Sequence, residues 1–114
     1  MHEISLLKID KDCEVDGDWT EDYVRLIVTI CRQHRIRVLS IKMSRSQRKG
    51  VHYYVEIDPP MEAEYANRLQ WLLGDDPQRV NFNRARIASG LTEWNKLFET
   101  SSGRLRTIYK HLGK

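Results

Sequence analysis

The sequence predicts an α+β fold, a ferredoxin-like split βαβ arrangement (β-α-β-β-α-β) with an irregular or helical C-terminal extension. Three observations carry that expectation. Two neighbouring segments alternate apolar and polar residues around a short polar loop, two others repeat apolar residues at helical spacing, and a short apolar run opens the chain. At 114 residues, with no internal repeat and no Pro/Gly/Ser-rich linker, the chain reads as one domain over residues 1–114 with one modest core.

Ile4 to Ile9 is an apolar run ending in acids and is taken as the first strand. Asp10 to Asp18 is an acidic loop with Gly17 as its turn residue. Asp18-Trp19-Thr20-Glu21 fits a reciprocal cap, in which a side-chain acceptor and a glutamate three residues on satisfy the first free amides of a helix. Tyr23, Leu26, Ile27 and Ile30 then recur at i, i+3, i+4 and i+7 as its buried stripe. Arg25, Arg32 and Arg35 fall off that stripe, toward the end where cations suit the helix dipole.

Leu39, Ile41 and Met43 alternate with Ser40 and Lys42, and Val51, Tyr53, Val55 and Ile57 alternate with His52, Tyr54 and Glu56. The polar loop Ser44–Gly50 between them makes the pair a hairpin. Asp58-Pro59-Pro60 ends the second strand and starts a helix with the stripe Tyr65, Leu69 and Leu72, supported by Met61, Ala66 and Leu73 and closed by Gly74. Asp75-Asp76-Pro77 is a turn. Arg79 to Ile87 reads as the last strand, carrying Val80 and Phe82, although Arg84-Ala85-Arg86-Ile87 reads equally well as a short helix. Leu91 to Glu99 has helical spacing, and Ser101-Ser102-Gly103 breaks the chain before a basic tail.

Charge is segregated along the chain. Residues 1–22 hold two lysines against eight acids, whereas residues 23–114 hold 17 Lys and Arg against eight acids. From Tyr23 to Val55 there is no acid at all, which argues for a polyanionic partner more strongly than the pI near 9.0 does. Phosphate oxygens are gripped by the bidentate fork of arginine and by the point charge of lysine, so Arg35, Arg37, Lys42, Arg45, Arg48 and Lys49 around the hairpin are the candidate phosphate ligands. His52 and Tyr54, on the polar side of the hairpin, are candidates for stacking or base contacts, and Arg84 and Arg86, or the basic tail with Arg104, Arg106, Lys110 and Lys114, would extend the footprint. Lys49-Gly50 and Tyr53 share the opening of the RNA-recognition signature, but the phase turns Val51 and Tyr53 into the apolar set, so that signature is set aside.

Other chemistries are thinly supported. Asp12, Glu14, Asp16 and Gly17 match the first positions of a calcium loop, yet its twelfth position is Tyr23 rather than a bidentate glutamate. Cys13 and Cys31 are too few for a disulfide framework and lack zinc spacing, which makes a reducing, cytoplasmic setting the default. No apolar run is long enough to span a bilayer. The expectation is therefore a small nucleic-acid-binding protein, DNA or RNA, that is no enzyme and uses no cofactor and no metal. Two alternatives stand beside it. One is an interaction or inhibitor module docking on a protein partner through its segregated charges, with homodimerisation as a variant. The other is a small nuclease using Asp75 and Asp76 with magnesium, or His52 and Tyr54 as an acid–base set.

Overall fold

The computed structural model describes residues 3–11, 17–46, 50–97 and 101–112. Along the chain run β1 (Glu3–Lys11), α1 (Gly17–Gln33), β2 (Arg37–Ser46), β3 (Val51–Glu62), α2 (Ala63–Leu72), α3 (Pro77–Ala88) and β4 (Ser101–Lys110). This is an α+β domain with a four-stranded antiparallel sheet and three helices. Among the described residues no helix is long and apolar enough to cross a membrane.

Alternation does what period two requires in the central hairpin. Leu7 and Ile41 flank Val55 in register, and Ile9 and Met43 flank Tyr53, so one sheet face is a continuous apolar layer. On it α1 packs over β2, α2 packs over β1 and β3, and α3 packs against α2. The register slips between Val38 and Ser40, so Val38 joins Ile41 in the core while Leu39 is left half-buried.

Helix phases differ from the expected ones by a small rotation. In α1 the buried residues are Tyr23, Ile27 and Cys31, while Leu26 is 48% exposed. The helix begins at Gly17, which puts Asp18 in the first turn rather than at the cap. In α2 the inward side chains are Ala66, Leu69 and Leu73, and Tyr65 and Leu72 stand out in solvent. β3 continues through Pro59 and Pro60, where the β1 pairing jumps from Glu56 to Met61 and the prolines' missing amides break no ladder bond. Gly74 has φ +93, the left-handed residue expected after α2.

The strand order is β1-β3-β2-β4, whereas the ferredoxin-like arrangement sets the last strand beside β1. Arg79 to Ile87 lies within α3, so the strand reading of that segment is corrected. Residues 91–97 are irregular rather than helical, and the expected basic tail is the fourth strand.

What stands beside β1 instead is a layer of side chains. The Lys8 amide donates to Gln70 Oε1 (2.9 Å), the Asp10 amide donates to Asp75 Oδ1 (2.9 Å), and Arg79 Nη1 donates to the Lys8 carbonyl (3.0 Å). Arg79 further donates to Asp75 Oδ2, Asn95 Oδ1 and the Lys96 carbonyl, and Gln70 and Asn95 pair amide to amide. Together these groups satisfy three outward backbone positions that another strand would take, the Lys8 and Asp10 amides and the Lys8 carbonyl. Burial pushes the Asp75 carboxyl up from its ordinary value, while the Arg79 guanidinium and the Asp10 and Asp76 amides pull it down.

Candidate functional site

A groove of about 820 Å³ opens between α1 and the β2–β4 side of the sheet. The layer order explains it. α1 lies over β2 and α2 over β1 and β3, so the helix face of β4 carries no helix among the described elements. The floor is apolar, made by Val24 and Val28 from α1, Met43 from β2, and Ile108 and Tyr109 from β4. The walls are basic. Arg25 and Arg32 stand on α1, Arg45 on β2 and Arg106 on β4, and Glu21 is the one acid lining it among the described residues.

Each arginine gets there for a local reason. Arg25 and Arg32 occupy the flank of α1 next to Val24 and Val28, on the β4 side of the stripe Tyr23, Ile27 and Cys31. Arg45 follows Ile41 and Met43 at period two on the helix face of β2. Arg106 pairs with Met43 and Tyr109 pairs with Ile41, because the β2–β4 register shifts between these pairs and sends both side chains toward the helix layer. The contact of Arg25 with Asp22 at 3.7 Å is solvent-exposed and holds Arg25 only weakly.

The groove runs on into a smaller hollow lined by Arg32, Arg35, Arg37, Tyr109 and His111. Arg35 follows α1 with φ +60 and is the sole non-glycine residue with positive φ among the described residues. The Ile36 amide donates to the Cys31 carbonyl (2.8 Å), and the Arg35 amide donates to the Arg32 carbonyl (3.0 Å). That is the helix-closing motif whose left-handed position ordinarily belongs to glycine.

The residues expected to form one site are thus divided. Arg35, Arg37 and Arg45 share the groove and its continuation. Lys42 and Tyr54 are cross-strand partners on the opposite sheet face. His52 lies on that face too but is fully buried, with Nε2 3.6 Å from Asp10 Oδ1, so its ring is not the open stacking surface the alternation implied. Arg84 lines a separate groove between α2 and α3, beside Arg68 and a half-exposed Trp71. Arg86 turns inward, donating to Asn83 Oδ1 (3.3 Å) and the Trp94 carbonyl (3.4 Å). Arg48 and Lys49 lie outside the described residues, as do Asp12 to Asp16 of the calcium-loop test.

Tyr109 is the lining residue that the sequence does not single out, because its strand reads as a tail; Arg106 belongs to the basic tail expected to extend the footprint and stands on the groove. Arg25 and Arg32 were assigned to the helix dipole, although their spacing of seven, flanking Val24 and Val28, is that of one helix face. The carboxylates of the magnesium alternative are occupied by the protein itself: Asp75 by Arg79 and two amides, and Asp76 by the Gln78 amide at 2.9 Å as the cap of α3. Comparison of the chain with protein-family models, with curated proteins and with solved structures yields no match in any of the three.

Proposed function

We propose that this chain is a non-enzymatic nucleic-acid-binding protein whose contact surface is the groove between α1 and β4. The observation that carries the reading is the convergence of Arg25, Arg32, Arg45 and Arg106, from three separate elements, on one concave surface with an apolar floor. Positive charge on such walls concentrates a polyanion, and the guanidinium forks suit phosphate oxygens. The nuclease alternative loses support where Asp75 is tied to Arg79 and His52 is buried. The protein-partner alternative keeps one observation in its favour, since Trp71 and Phe82 are each more than half exposed on the helices.

The test is a fluorescence-anisotropy titration with labelled DNA and RNA, single- and double-stranded, at two salt concentrations. Four phosphate contacts on a single strand give a log–log slope of about −2.8, so affinity should fall roughly 50-fold between 50 and 200 mM salt. Absence of binding to every probe at the lower salt would overturn the proposal, and a shortened probe would revive the nuclease.

Arg35 gives a second check with opposed signs. A side chain in the left-handed region costs about 1–2 kcal/mol, part of which glycine returns through its greater freedom in the unfolded chain. Arg35→Gly is expected to raise stability by about 0.5–1 kcal/mol in urea unfolding while lowering oligonucleotide affinity. A variant that is more stable and binds as before would remove Arg35 from the surface.

A further inference from the structure

We infer that the groove takes a single, unpaired nucleic-acid strand, and that Tyr109 is the ring on which one of its bases stacks. This rests on the reading of the groove as a nucleic-acid surface and adds the class of strand. A duplex hides its base faces inside the stack and offers a convex rim of phosphates, so an apolar floor set below basic walls has little to give it. An unpaired strand exposes both of the things this groove is built to meet: rings for the floor and phosphates for the walls.

Tyr109 is where the two meet. It is half-buried on β4 opposite Ile41, which fixes its backbone in the sheet, and it lines both the main groove and the continuation beyond it. Arg32 also borders both hollows, from the facing helix. A ring and a guanidinium bordering the same groove from facing elements are the two groups needed to hold a base and its adjoining phosphate together. From Arg25 to Arg32 the helical wall extends on the order of 10 Å at 1.5 Å per residue, enough to follow the strand past one nucleotide. Every base has a flat face, so stacking of this kind selects unpaired strands with little regard to sequence.

The experiment compares short labelled single strands of DNA and RNA with a duplex of equal length, using the full chain, Tyr109→Phe and Tyr109→Leu. Single strands are expected to bind at least about tenfold more tightly than the duplex. Tyr109→Phe should bind as the wild type does, and Tyr109→Leu should lose about 5- to 150-fold, the range of one lost stack. Equal or tighter binding of the duplex would overturn the inference while leaving the groove as a nucleic-acid surface. Failure of every probe would overturn that reading as well. Full single-strand affinity in Tyr109→Leu would remove the stacking role, and the wild-type comparison of strand with duplex decides the matter even if that variant does not fold. Polyglutamate competing as well as the oligonucleotide would overturn the inference in favour of an acidic protein, because carboxylates supply the charge without the rings.

Discussion

Replacement of Arg79 by alanine is expected to cost about 3–5 kcal/mol of folding stability, the largest loss from any single charged side chain among the described residues. The guanidinium is fully buried and donates to the Lys8 and Lys96 carbonyls, Asp75 and Asn95. Its removal strands the Asp75 carboxylate without a countercharge and takes the donor away from β1. A paired variant separates these two effects. If the ion pair alone mattered, Asp75→Asn with Arg79→Met would return close to wild-type stability, as apolar replacement of buried pairs often does. If the side chains stand in for a missing strand, the double variant should remain about 2 kcal/mol below wild type, because the Lys8 carbonyl still lacks its donor. Urea unfolding of the two variants beside the wild type reads both outcomes. An Arg79→Ala midpoint within about 1 kcal/mol of wild type would sink the account of the β1 edge.

That edge also explains why part of the fold was legible in the sequence and part was not. β1, α1, the β2–β3 hairpin and α2 follow from local periodicity, because Val51, Tyr53, Val55 and Ile57 or Tyr23 and Ile27 must share a face for any core to form. Strand order depends on something else, namely which edge of β1–β3–β2 is still open when the last strand arrives. Gln70, Asp75, Arg79 and Asn95 close the β1 edge, and nothing in their order of residue types distinguishes them from a solvated helix end and turn. A fully buried arginine reads as a surface residue in any composition argument, since charged side chains are so seldom inside without a partner. The last strand was hidden for a related reason. Arg104, Arg106 and Lys110 interrupt Leu105, Ile108 and Tyr109, and the outward residues of an edge strand carry charge as a loop does.

The candidate site suffered from the same blindness in a different form. The acid-free tract from Tyr23 to Val55 supplies Arg25, Arg32, Arg35, Arg37 and Arg45 to the groove and its continuation. Period two carried past Met43 sets Arg45 on the face opposite Lys42 and Tyr54, a separation hidden by reading Ser44–Gly50 as a loop, whereas alternation does not say that His52 is closed off beside Asp10. Polar residues on the second face of a sheet look open in sequence whether or not they are covered.

Charge reversal at Arg32 and Arg106 together is expected to lower oligonucleotide affinity on the order of 100-fold at low salt, since each lost charge-assisted contact is worth about 1.5 kcal/mol or more. The two residues line the groove from different elements, α1 and β4, so the change strikes both of its sides at once. The salt slope should flatten by about 1.4, which is 0.7 for each single-strand phosphate no longer neutralised. Stability should move by no more than about 0.5 kcal/mol, because both side chains are exposed. The informative control is Arg68→Glu with Arg84→Glu, an identical change in net charge on the separate groove between α2 and α3. A protein that merely attracts polyanions by its overall field would lose affinity equally in the two pairs, through association rate. A protein that holds a strand in the α1–β4 groove should lose far more in the first pair than in the second, and through dissociation rate, because contacts rather than steering are removed. Equal losses in the two pairs would leave the charge asymmetry of the chain intact as an observation and take the groove away as its explanation.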